Sequence, residues 1–148
     1  MADLETAIAI AVEAHRGQTD KAGQPYILHP LRVMLSLNTE QERIVGVMHD
    51  VVEDSEITLE DLRARGFPEE VLQALDAVTK RPGESGDAGY EAFVERAGRN
   101  PIGRRVKIAD LLDNLDLTRL ADLGDSDASR LGRYLKALRV LEQAEAEK

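Results

Sequence analysis

The chain has no cysteine and no tryptophan, and only two phenylalanines and three tyrosines. Without cysteine, disulfides and thiolate metal sites are excluded, so any bound metal must be held by His, Asp or Glu. With aromatics at 3%, a core must be built from Leu, Val, Ala and Ile. Long apolar runs are missing too, so nothing reads as a membrane span. The N-terminus MADLETAIAIAVEAHRG lacks a basic start, and Asp3, Glu5 and Glu13 interrupt it, unlike a secretory signal. The cytoplasm is the expected location. Positive charge is scarce: the net charge is −9, which disfavours wrapping a nucleic-acid polymer, where phosphate neutralisation supplies most affinity. A small phosphorylated ligand needs only a local cluster of Lys and Arg.

What is there reads as helix. The 148 residues suit one domain, residues 1–148, with no repeat and no linker. Leu4, Ile8, Ala11, Val12 and His15 recur at helical spacing and predict a first helix over 3–16. RGQTDKAGQPYILHP has no period and is a loop. Pro30 suits the first turn of the next helix, LRVMLSL. A third helix is expected over about 39–52. Thr58 with Asp61 resembles a capping box opening a helix that ends at Gly66. Pro68-Glu69-Glu70 opens another through about Val78. After a flexible KRPGESGDAG come helices over 88–98, 101–118 and 127–146. The class is all-α, with seven to eight helices.

The stretch VGVMHDVVEDSEITLEDL sets one of three histidines beside an aspartate. In a helix His49 and Glu53 share a face, as do Asp50 and Asp54. Carboxylates at a helix C-terminus oppose its dipole, a penalty that a divalent cation would reverse. A solvated acidic helix end beside a satisfied histidine fits the same residues. Two further stretches bear on the choice. In PYILHP, His29 lies between apolar neighbours, where a histidine is more often a core residue than a ligand. In VKIADLLDNLDLTRL, Asp110 lies near the apolar side of a helix, where a carboxylate is costly unless paired or metal-bound. Asn114 is one turn on and Lys107 one turn before. Together His29, His49, Asp50 and Asp110 make a two-imidazole, two-carboxylate set. Such mixed ligation suits Mn, Fe or Zn better than Mg or Ca.

The order AHRGQ, K-x-G-x-PYI-x-HP, HDVVED, T-x-EDL, VTK and K-x-AD-x-x-x-N, over about residues 14–115, resembles the HD-domain hydrolase of the Rel/Spo alarmone enzymes and their small stand-alone relatives. The resemblance implies an all-α fold and removal of the 3′-pyrophosphate from (p)ppGpp with one Mn²⁺, by attack of metal-bound water. It implies His29, His49, Asp50 and Asp110 as metal ligands. Glu53 and Asp54 would orient or deprotonate the water. Asn114 would line the nucleoside side, Lys21 would face the nucleotide, and His15 would support the fold. Lys80, Arg81, Arg104 and Lys107 are further cations for the phosphates, with Arg81 and Arg104 read as solvated surface charge. The chain departs from the family at the base-recognition positions. Asp20 stands where an Arg stacks on guanine, Leu111 replaces an Arg, and Asp113 replaces a His. A nucleotidase or phosphatase for another small phosphorylated metabolite is the alternative, as is a non-enzymatic nucleotide sensor. The last helix carries an apolar stripe through Leu131, Tyr134, Leu135, Leu138 and Leu141, read as core packing.

Overall fold

Five consecutive residues, Ile44 to Met48, are buried in α3 (Glu40–Met48). A helix apolar all round belongs at the centre of a bundle, and α3 is that centre. The computed structural model describes residues 2–147. Around α3 pack α1 (Leu4–His15), α2 (Leu28–Leu35), α6 (Glu69–Ala77) and α8 (Pro101–Asn114). The single turn α4 (Val51–Asp54) lies against α1, and α5 (Leu59–Ala64) lies against α6. The helices α7 (Gly86–Arg99) and α9 (Asp125–Ala146) close over α8. Their smaller core joins Val94, Leu111, Ala137, Leu138 and Leu141. Among the described residues there is no β-strand, only an isolated bridge between Thr19 and Pro25. The all-α class read from the sequence holds. No helix of the described residues is long and apolar enough to cross a membrane.

The caps follow the local sequence. Asp3 accepts from the Thr6 N–H at 2.8 Å, and Thr39 accepts from Glu42 at 3.1 Å. Thr58 and Asp61 form the reciprocal capping box, Asp standing in for the usual Glu. A Cβ on Gly46 would come within 2.6 Å of Leu37 Cδ1, so glycine lets the chain after α2 lie close to α3.

Two expected helices end early. The segment 39–52 is not one helix: α3 stops at Met48, His49 and Asp50 form a turn, and α4 starts afresh at Val51. The acidic pair therefore opens a new turn rather than ending a long helix. The segment 101–118 ends at Asn114. There the Asp116 N–H tightens onto the Asp113 carbonyl at 3.2 Å, and the Asp116 side chain caps a 3-10 turn, Leu117–Arg119, through the Thr118 N–H at 3.0 Å.

Candidate metal centre and its cavities

Two helices and one turn bring four acidic or imidazole side chains to one point. His29 comes from the first turn of α2, His49 and Asp50 from the turn after α3, and Asp110 from α8. His29 Nε2 lies 2.9 Å from Asp110 Oδ1 and 3.9 Å from Asp50 Oδ2. His49 Nε2 lies 3.1 Å from Asp50 Oδ2 and 3.4 Å from Asp110 Oδ1. His29, His49 and Asp110 are each about 5% exposed or less.

The ring orientations are set from behind. His49 Nδ1 donates to the Gly46 carbonyl at 2.7 Å, which turns Nε2 toward the carboxylates. That atom is buried and makes no hydrogen bond, although two carboxylate oxygens lie close by. An orphaned imidazole nitrogen among carboxylates is costly in an apo protein and suits a cation. His29 Nδ1 donates to Asp113 Oδ2 at 2.6 Å. Two imidazoles and two carboxylates, three of them mutually within 4.8 Å, fit a divalent transition ion.

Charge balance without an ion falls to neighbours. Burial would raise the Asp110 carboxyl, but Lys107, at 2.8 Å, and His49 outweigh it and hold it far below the usual range. Burial likewise opposes Asp50, and His49 beside it prevails and lowers it. For His49, burial disfavours the charged ring, yet Asp50 and Asp110 raise it well above an ordinary histidine. The Tyr26 hydroxyl donates to Asp50 Oδ2. Asp54 is pushed up to about 6, by burial first and then by Asp50 and Glu53.

Two cavities meet here. One of about 310 Å³ is lined by His49, Asp50, Glu53, Asp54, Lys80, Lys107 and Asp110, with Tyr90 and Phe93 at its side. The other, about 440 Å³, carries Lys21, Arg32, Arg119 and Arg130 together with Asp20 and Asp116. Tyr26, Asn114 and Tyr134 form a wall common to both. The arrangement places cations on both sides of the aspartate–histidine cluster.

The residues singled out in the sequence fall as follows. Glu53 and Asp54 line the smaller cavity, and Glu53 Oε1 accepts the Lys80 backbone N–H at 3.0 Å. Lys107 faces that cavity while paired with Asp110, its ammonium 5.0 Å over the Phe93 ring. Asn114 donates to Asp110 Oδ1 at 3.0 Å, and Lys21 lies on the larger cavity. His15 is outside the cluster. Its Nδ1 pairs with Gln18 Oε1 at 2.9 Å, and its ring packs 5.1 Å from Tyr26. Arg81 is exposed and pairs with Asp76. Arg104 is not solvated: it is 6% exposed and bonds Glu145 at 2.7 Å and the Gly98 carbonyl at 2.8 Å, tying α9 to the core. Tyr134, read as core packing, also faces both cavities. Arg32, Arg119, Arg130 and Tyr26 were not singled out. Arg32 at i+3 from His29, and Arg130 at i−4 from Tyr134, are the spacings that mark them as lying on a shared face.

The chain is 38% identical over 121 residues to the GTP pyrophosphokinase of Streptomyces coelicolor, covering 76% of this chain and 14% of that protein. It is 31% identical over 121 residues to the guanosine-3′,5′-bis(diphosphate) 3′-pyrophosphohydrolase of Aquifex aeolicus, covering 76% and 17%. A solved structure described as a metazoan ortholog of SpoT that hydrolyzes ppGpp superposes with a TM-score of 0.76 at 23% identity, over 99% of this chain and 93% of that one. No protein-family model matches the chain. The chain is similar to a segment of these longer proteins and shares the fold of that solved structure. It spans less than a fifth of the length of these two curated relatives.

Proposed function

We propose that residues 1–148 form one HD-type domain that hydrolyses a phosphorylated nucleotide, as a guanosine-3′,5′-bis(diphosphate) 3′-pyrophosphohydrolase-like enzyme of the cytoplasm. The observation that carries this is the convergence of His29, His49, Asp50 and Asp110, with a bare His49 Nε2 at its centre. We assign these four as ligands of one Mn²⁺. When bound, such an ion polarises a phosphoryl oxygen and acidifies water.

The remaining roles belong to this chain's own side chains. Glu53, oriented by the Lys80 N–H, accepts the proton of the attacking water. Asp54 has a carboxyl pushed up to about 6, so it takes up a proton more readily than an ordinary aspartate and can pass one to the departing 3′-oxygen. A water O–P bond forms and the P–O3′ bond breaks, giving pyrophosphate and a 3′-hydroxyl. Lys80 and Lys107 offset the pyrophosphate charge. Asn114 and Lys21 meet the nucleotide on the other side.

One observation favours a different nucleotide. The Asp20 carboxylate accepts from the Ala22 and Gln24 N–H groups, both at 2.9 Å, and so is committed to its own loop. No cation stands there to stack on guanine. The alternative substrate is therefore another small phosphorylated metabolite handled by the same cluster. The test is product analysis across a nucleotide panel with Mn²⁺. Pyrophosphate from ppGpp supports the main reading, orthophosphate from simple monoesters supports the alternative, and binding without turnover would reduce the chain to a sensor.

A further inference from the structure

We infer that Asp113 is a positioning residue that holds His29 in its metal-binding orientation and ties it to the arginines of the larger cavity. The inference rests on the proposed metal site.

His29 carries Nε2 toward Asp110 and the cluster, and Nδ1 toward Asp113, about one turn further along α8. The Nδ1–H donates to Asp113 Oδ2 at 2.6 Å, short even for a charge-assisted bond. A histidine ligand needs such an acceptor, which fixes tautomer and ring plane and makes the other nitrogen a better donor to metal. Asp113 is itself fixed. Arg32 reaches it through Nε at 2.8 Å to Oδ1 and through Nη2 at 3.1 Å to Oδ2. Arg119 bonds the Asp113 carbonyl at 2.8 Å and lies 3.6 Å from its carboxylate. Both arginines line the 440 Å³ cavity.

The family that this sequence resembles has His at this place. A neutral imidazole would be a weaker acceptor for the His29 N–H and would give Arg32 nothing to pair with. The Asp113 carboxylate and Arg32 on α2 form a matched pair.

The bland reading of Asp113 is an ion pair that only anchors Arg32. The two readings differ in what happens when Arg32 is removed instead. The full chain, stripped with chelator, is titrated calorimetrically with Mn²⁺, and Co²⁺ absorption in the visible reports ligand geometry. Apo melting curves are recorded alongside. D113N is expected to bind Mn²⁺ about 10–100-fold more weakly and to change the Co²⁺ spectrum. R32Q keeps the His29–Asp113 bond and is expected to bind Mn²⁺ close to wild type. Should D113N melt below the assay temperature, D113H serves as the second variant and is also expected to bind more weakly than wild type. Wild-type affinity in the position-113 variants, or an R32Q loss equal to that of D113N, overturns the inference and leaves the metal site standing. If wild type and D110N alike bind no Mn²⁺ or Co²⁺, the metal site itself is overturned.

Discussion

The Lys80 backbone N–H donates to Oε1 of Glu53 at 3.0 Å, joining the loop after α6 to the turn that follows the HD pair. Glu53 is thus aimed by main chain rather than by a side chain. E53Q keeps the size and the acceptor but loses the basicity. It is expected to bind Mn²⁺ like wild type while slowing turnover by about 10² or more, as loss of an acid–base group does. K80A retains the N–H, so it should raise KM through the lost ammonium and lower kcat much less than E53Q. Steady-state pyrophosphate release from ppGpp separates the two. A wild-type kcat in E53Q would remove Glu53 from the chemistry.

The sequence carried the helices well because their signals are local. Asp3, Thr39 and Thr58 each cap the helix that follows. It missed the break at His49-Asp50, because periodicity continues through a turn of αR residues that keeps buried Val51 in phase. The four clustered side chains were readable as residue types and motif order, whereas their meeting point depends on how α2 and α8 pack on α3. Asp113 and Arg32 were illegible for the same reason. They are 81 positions apart, and each alone reads as surface charge. Arg104 was misread because burial of an arginine depends on a partner, Glu145, some 40 residues on.

A ligand that binds only the folded state stabilises it by mass action. At about one hundred times its Kd the gain is about 2.7 kcal/mol, which in a chain of this size raises Tm by about 5–10 °C. Mn²⁺ is expected to produce such a shift in wild type and EDTA to reverse it. D110N should melt at the same temperature with and without Mn²⁺. Differential scanning calorimetry checks this. An equal shift in D110N would place the ion elsewhere.

Arg96 collects the Asp76 carbonyl at 2.8 Å, the Thr79 carbonyl at 3.2 Å and Glu84 Oε1 at 2.6 Å, pinning the loop that carries Lys80. Burial pushes the Glu84 carboxyl up, but the Arg81 N–H and the Arg96 guanidinium outweigh it and lower it. A carboxyl lowered on folding adds stability that is complete above its unfolded value, about 4.3, and is lost as pH falls through its folded value. The difference in Tm between wild type and E84Q should therefore be largest near neutrality and shrink below about pH 4. Melting curves from pH 7 to 3 measure it. A constant difference would mean that Glu84 titrates no differently in the folded protein.

Asp20 invites replacement by the arginine that the resembled family uses, to restore a cation over a purine. The loop argues against a simple gain. Its carboxylate holds the Ala22 and Gln24 N–H groups, and bonds of this charge-assisted kind contribute about 1.5–3 kcal/mol each, toward the low end at a half-exposed position. An arginine has no acceptor to replace them. D20R should therefore loosen the turn that presents Lys21 to the larger cavity and raise KM for ppGpp. D20N keeps an oxygen acceptor and should raise KM less than D20R does. Proteolysis at Lys21 should quicken in D20R and not in D20N. If D20R instead lowers KM with the loop still protected, the base does stack at this position, and the aspartate is what steers the wild-type enzyme toward a substrate without guanine.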